Sequence, residues 1–248
     1  GGPGGDFLHS TIVIEELAKV GASGPAFALH SDIIAPYIQA YGNEEQKREW
    51  LPKAVSGETI LAIGMTEPSA GSDLQAIQTR ADRDGNHFVI NGQKVYISNG
   101  QIADLYILAC KTDPALGSKG VSLILVEGDR EGFQRGRNLD KLGCHAQDTS
   151  ELFFEDVRVP ITNLLGQEGR GFTQLMHQLS QERLVVAVRC AASIHAALDE
   201  TLRYTNDREA FGRRIADFQN TRFKLAEVKT TAMVTQTFID RCIELHMA

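Results

Sequence analysis

Apolar positions along the chain follow three regimes. From residue 1 to about 56 they recur at helical spacing, from about 59 to 161 they come in short runs between turn signals, and from about 171 onward the helical period returns. This divides the chain into 1–58, 59–165 and 166–248. In the first segment, GGPGGD is a turn-rich opening. Ser10–Val20 then places Ile12, Leu17 and Val20 at helical intervals around the acidic pair Glu15 and Glu16. Asn43 starts another helix, with Gln46 three residues on in the capping-box position. Pro52 and Gly57 are expected to end that region.

The middle segment reads ILAIGM, HFVI, KVYIS, LYILAC, VSLILV and ELFFEDVRV. These predict six or seven strands of an antiparallel barrel or sandwich. Asn91-Gly92 predicts a hairpin between HFVI and QKVYIS, and Asp84-Gly85-Asn86 predicts another turn. Strands do not alternate with helices and no GxGxxG follows a strand, which argues against a Rossmann domain. The third segment opens with a long helix running to about Asp207, and a turn falls near Phe211-Gly212. A second helix starts near Asp217, with Phe218, Leu225, Met233 and Phe238 among its apolar positions. The chain stops within that helix, on ELHMA, and reads as a piece of a longer protein. The fold class is α+β.

Composition narrows the functions. The 248 residues are 42% hydrophobic and 23% charged, ordinary values for a globular chain with a sizeable core. A net charge of −7 without a basic cluster argues against nucleic acid as the main partner. No apolar run approaches the length of a membrane-spanning helix. The four cysteines are widely spaced and match no metal pattern, and the seven histidines are scattered. Cys110 and Cys190 lie in apolar stretches and are expected to be buried free thiols.

Glu182 is the most unusual residue. It falls in the stripe Phe172, Leu175, Leu179, Val186, Cys190, Ile194, and the steps from Leu179 to Glu182 to Val186 keep one helix face. A carboxylate there is costly unless it is paired, neutralised or used. Burial raises its pKa and can poise it as a general base; pairing is the plainer alternative. Arg183 projects about 100° around the helix, so it is not an automatic partner.

Two loops carry further candidate chemistry. AIGMTEPSAGSDL (Ala62–Leu74) joins a strand to a turn-rich loop with hydroxyls at Thr66, Ser69 and Ser72, suited to a polar ligand or to an ordinary surface. NGQKVYISNG (Asn91–Gly100) places Tyr96 two residues from Ser98, on one side of a strand. An aromatic beside a hydroxyl can stack on and hydrogen-bond a flat ring; a half-buried strand is the alternative.

Together these segments resemble the acyl-CoA dehydrogenase family. Its TEPxAGSD loop corresponds to Thr66–Asp73, its GxKxxI[ST]NG strand to Gly92–Gly100 and its RxAFGxxIxxFQ segment to Arg208–Gln219. The opening with its EEL helix and LLGQEGRGF (Leu164–Phe172) are similar as well. Ser69 departs from the pattern, where many members have glycine.

The resemblance implies a helical N-terminal domain, a central antiparallel β-barrel domain and a C-terminal helical bundle, here partial. It implies FAD, with Ile63, Met65, Thr66 and Ser72 lining the flavin and Tyr96, Ile97 and Ser98 against its ring system. Arg208 and Gln219 would reach the FAD of a neighbouring subunit, implying a homotetramer; a solvated helix-end cation is the alternative for Arg208. It also implies α,β-dehydrogenation of an acyl-CoA, with electrons passing to an electron-transfer flavoprotein. In most members the base lies beyond the position matching residue 248; in the isovaleryl and long-chain branches it lies on the first long helix of the bundle. QERLVVAV (Gln181–Val188) resembles the latter, with Glu182 as base and Ser72, Ser180, Gln181 and Arg183 touching the substrate. The resemblance is closest to the long-chain branch. It places the protein in the cytoplasm of a bacterium or the mitochondrial matrix of a eukaryote. A same-fold oxidase or monooxygenase and a non-catalytic scaffold are the competing readings.

Overall fold

The computed structural model describes residues 4–22 and 24–248. Residues 1–3 of the GGPGGD opening lie outside the described residues. Two compact units form: one is Gly24–Ser180, and in the other α1 (Phe7–Lys19) joins Gln181–Ala248. The α+β character is as expected, with helices before and after a central sheet.

Helix α1 starts at Phe7, ahead of Ser10, because Asp6 caps it. Leu8 N–H donates to the Asp6 carboxylate (3.1 Å), and the His9 ring accepts from Asp6 N–H (3.3 Å). Its buried positions are Thr11 and Ile14, whereas Ile12 and Val20 are exposed. Ile12 stands about 200° around the helix from Ile14, so one face cannot hold both.

In the first unit a π-helical turn (Leu29–Ile34) runs into α2 (Ala35–Tyr41), followed by α3 (Glu44–Ser56). The Asn43–Gln46 capping box forms as expected. Gln46 does more than cap: its amide donates to Thr162 O (2.8 Å) and Leu164 O (3.1 Å). Gln46→Ala should therefore cost about 1–3 kcal/mol in urea unfolding, beyond an ordinary exposed cap change. A loss within error would show these bonds to be replaceable. Pro52 does not end α3. It lies inside the helix, and the carbonyl it deprives of a donor belongs to exposed Arg48, where solvent can satisfy it. Gly57, at φ 78°, is the actual stop.

One sheet holds β1 (Leu61–Gly64), β2 (Arg80–Asp84), β3 (His87–Ser98), β4 (Leu105–Lys111), β5 (Val121–Glu127), β6 (Phe133–Asn138), β7 (Thr149–Pro160) and β8 (Leu164–Leu165). Its order is β6-β7-β3-β2-β4-β5-β8. Pairing is antiparallel throughout, apart from β1 and the first residue of β2, which run parallel to β4. Alternate residues of β4 and β5 feed two cores. Leu105, Ile107, Leu123 and Leu125 pack with Ile34, Tyr37, Ile38 and Leu175; Tyr106, Leu108, Ile124 and Val126 pack with Phe88, Ile90, Leu152 and Val157. Strand β4 is buried on both faces, which is why it reads as an unbroken apolar run.

Asn91-Gly92 is not a hairpin: HFVI and KVYIS belong to the single strand β3. Asn91 sits at a bulge, its Nδ2 donating to Asp156 Oδ1 (3.0 Å) while its Oδ1 accepts from Asp156 N–H (2.9 Å). Asp156 is itself at φ 51°, so the partner strand takes the extra residue that the turn signal advertised. The predicted turn at Asp84-Gly85-Asn86 does join β2 to β3. The sequence pattern missed β2 and β6, whose residues RADRD and FQRGRN are mostly exposed and carry little apolar alternation.

Helix α4 spans Gly171–Asp207. A two-stranded hairpin of β9 (Glu209–Ala210) and β10 (Arg213–Arg214) follows, turning at Phe211-Gly212 with positive φ at both residues, and α5 spans Gln219–Met247. In the second unit, α4 buries Val185, Val188, Ala191, Ala192 and Leu198. Val186, Cys190 and Ile194 are exposed, contrary to the predicted stripe, and Cys190 is not a buried thiol. Cys110 is buried, and burial pushes its thiol up to about 12. Helix α5 buries Ala232, Ile239 and Ile243, leaving Met233 and Phe238 exposed. Both helices carry apolar residues on more than one face, so periodicity alone could not choose between them.

Candidate active site

Two backbone irregularities bring the predicted flavin segments together in the first unit. The chain leaves β1 at Gly64 and turns tightly over Glu67–Ala70, where Glu67 N–H donates to Ala70 O (2.9 Å) and Ala70 N–H to Glu67 O (3.1 Å). Ser69 is at the exposed tip. On β3, the register with β7 slips between Lys94 and Ile97, and Tyr96 takes φ 62°. That bulge frees Val95 N–H from the β7 ladder to donate to Thr66 O (2.9 Å). Thr66 and Tyr96 are thereby neighbours through the backbone. Tyr96 is 67% exposed, an uncommon state for a tyrosine at a strained position. Ser98 follows, half-buried, and Asn99 anchors the strand end by donating to Leu61 O (3.0 Å).

Ile63 and Met65 pack against the first core and Ile97 is buried in the second. Side-chain contact between Ile97 and a ring on the exposed side is thus unavailable, and its role there is limited to backbone. Ser72 is exposed beyond the tight turn.

Sequence reasoning passed over the most buried charges in the unit. Lys94 and Glu67 pair at 2.7 Å with side chains 0% and 3% exposed. Lys94 Nζ also donates to Met65 O (3.1 Å) and Ala109 O (2.7 Å), while Glu67 accepts from Gln78 N–H (2.6 Å) and Thr79 N–H (3.0 Å). Burial alone would raise the Glu67 carboxyl, but the Lys94 ammonium and these hydrogen bonds bring it below its usual range. Burial lowers Lys94, against the opposing pull of its partners. A lysine amid strand residues was the available signal, since its four-carbon stem and charge do not belong at a core position unless paired.

The remaining predicted residues lie along α4 and beyond. Ser180 Oγ donates to His177 O (2.9 Å). In the second unit Glu182 is half-buried and engaged by a neighbour, Gln181 Oε1 is 3.1 Å from His246 Nε2, and Arg183 is exposed. Arg208 and Gln219 are both exposed and flank the hairpin, which Ile215 N–H closes onto Arg208 O (2.8 Å). Among the described residues no cluster of His, Cys, Asp or Glu could hold a metal ion.

Thr66 and Tyr96, joined through the Val95 N–H bond, and Ser98 two residues on offer hydroxyls and an exposed aromatic ring, residue types suited to a flat, polar heteroaromatic group. Models of the N-terminal, middle and C-terminal domains of acyl-CoA dehydrogenases match residues 1–58, 62–157 and 169–248. The chain belongs to the acyl-CoA dehydrogenase family. It is 48% identical to the mitochondrial long-chain specific acyl-CoA dehydrogenase of Sus scrofa over 99% of this chain and 58% of that protein. It is 40% identical to the mitochondrial isovaleryl-CoA dehydrogenase of Pongo abelii over 96% of this chain and 57% of that protein. The crystal structure of an acyl-CoA dehydrogenase from Geobacillus kaustophilus superposes with a TM-score of 0.97 at 53% identity, covering 100% of this chain and 66% of that one. The chain thus spans a little over half the length of its curated relatives. Members of the family are FAD-dependent oxidoreductases.

Proposed function

We propose that the protein is an FAD-dependent acyl-CoA dehydrogenase that converts a medium- to long-chain acyl-CoA to the trans-2-enoyl-CoA. The observation that carries this reading is the backbone clasp between Thr66 and Val95, which brings the Thr66 loop to the bulge carrying the exposed, strained Tyr96. FAD, when bound, supplies an acceptor for the hydride that leaves the β-carbon. Thr66 and Ser98 offer hydrogen bonds to its ring and Tyr96 a stacking face. Ile63, Met65 and Ile97 contribute backbone, and Ser72 a hydroxyl. Arg208 and Gln219, exposed and charged or polar, are the residues for FAD of a second subunit in a homotetramer.

Glu182 takes the proton from the α-carbon. Its support is the QER match and its half-burial, which favours a base that is not fully solvated. The relatives named for long-chain and isovaleryl substrates are those whose resemblance put the base at this position. Ser180, Gln181 and Arg183 sit beside it on the helix as groups for the thioester substrate. An electron-transfer flavoprotein is the proposed electron acceptor.

Replacing Thr66 by valine and Ser98 by alanine should shift the flavin absorbance spectrum and reduction potential and slow its reduction by acyl-CoA. If spectrum, potential and rate are all unchanged, these hydroxyls do not face the ring.

A further inference from the structure

We propose that the buried Lys94–Glu67 pair is a positioning device, which holds Thr66 against the Tyr96 bulge and so sets the donors presented to the flavin. The inference rests on the reading above that these segments receive FAD.

Thr66 is flanked on both sides by groups that Lys94 grips. Before it, Met65 O accepts from Nζ at 3.1 Å; after it, the Glu67 carboxylate accepts at 2.7 Å. The third bond runs to Ala109 O on β4 at 2.7 Å. An ammonium has three protons, and here each has an acceptor, two on the loop either side of Thr66 and one on β4. Lys94 lies two residues before Tyr96, so the same side chain that holds the loop belongs to the strand carrying the bulge. Glu67 extends the hold: through Gln78 and Thr79 N–H it fixes the far end of the loop as well. The strand also lies hard against that end, since a Cβ on Gly92 would come within 2.7 Å of Thr79 Cα.

Stability by itself does not call for this arrangement. An apolar pair of similar volume often serves as well, because desolvating two charges offsets much of their attraction. Apolar packing is non-directional, however, whereas three N–H bonds from one fixed nitrogen define where a loop without regular structure must lie. Two of the bonds reach the residues either side of Thr66, a backbone carbonyl before it and a carboxylate after it, and Val95 N–H meets the loop between them.

The test uses the full chain with Lys94→Met, and with Glu67→Gln, which removes the charge and keeps one acceptor oxygen where Gln78 and Thr79 N–H now use two. Amide hydrogen exchange is followed without FAD at Val95, and at Leu123 in β5 as a reporter of the core. Both variants should speed exchange at Val95 beyond the change at Leu123, which reports the global loss of stability, with an excess of about tenfold or more for Lys94→Met and less for Glu67→Gln. With FAD bound, the absorbance spectrum and reduction potential should shift in the same order. Equal change at Val95 and Leu123, or none at Val95, would overturn the proposal by leaving only a general structural role. If Lys94→Met does not fold, the Glu67→Gln comparison decides alone. Selective loosening at Val95 in a chain that takes up no FAD would sink the flavin reading while leaving the clasp standing.

Discussion

Glu182→Gln should leave FAD bound and slow its reduction by acyl-CoA by about 10²–10⁴-fold, the range for loss of a general base in proton abstraction. Glutamine keeps the size and one carbonyl acceptor, so the loss would be of proton affinity rather than shape. The helix should tolerate the change, because glutamine and glutamate have nearly equal helix propensity and position 182 is half-buried rather than core. Rapid-mixing measurement of flavin bleaching separates this from a binding defect: the bleaching rate at saturating acyl-CoA should fall, with little change in the concentration needed for saturation. Near-normal bleaching would move the base elsewhere.

Lys94→Met should cost about 3–5 kcal/mol of stability, because it strands a buried Glu67 carboxylate. Urea unfolding measures it. Removing both charges, with Lys94→Met and Glu67→Gln together, should recover some of the loss, since no unpaired ion remains. A loss under about 1 kcal/mol for Lys94→Met would show that Glu67 is satisfied by Gln78 and Thr79 alone. The pair also predicts an acid limb. The folded-state pKa of Glu67 is lowered below its ordinary value of 4.5, so its contribution is complete above that value and is lost as pH falls through the folded one. Glu67→Gln should flatten the decline in stability below about pH 4.5. An unchanged acid limb would assign that decline to other carboxylates.

Much of this architecture was legible from residue order. The change from helical to strand periodicity and back marks the sheet, and the Asn43–Gln46 box and the Phe211-Gly212 turn form where local chemistry puts them. What failed was whatever depended on a partner distant in sequence. Asn91-Gly92 has every local mark of a hairpin, but its amide is met by Asp156, and a bulge results. On α4 the stripe through Val186 and Ile194 has the right spacing, yet Val185, Val188 and Ala192 are the residues covered. Strands β2 and β6 are held mainly by backbone pairing and carry little apolar signal of their own.

The site was legible in a different way. Loop hydroxyls and strand alternation mark Thr66, Tyr96 and Ser98 as candidates, but only the family resemblance ties them to a flavin, and nothing local predicts that Val95 N–H turns to Thr66 O. Tyr96 illustrates the limit: two-residue alternation gives its side, but not its positive φ, which comes from the slipped register with β7. Lys94 was visible as a charge among apolar strand residues and was passed over. Its partner Glu67 lies in the other motif, and the pairing emerges only when loop and strand are folded together.

Anaerobic titration of the FAD-bound protein with a medium- or long-chain acyl-CoA is the most direct test of the function. The flavin should bleach in proportion to the acyl-CoA added, with trans-2-enoyl-CoA formed one for one. A protein that binds FAD at the Thr66–Tyr96 clasp but shows neither bleaching nor enoyl product with acyl-CoA thioesters of any chain length would contradict it.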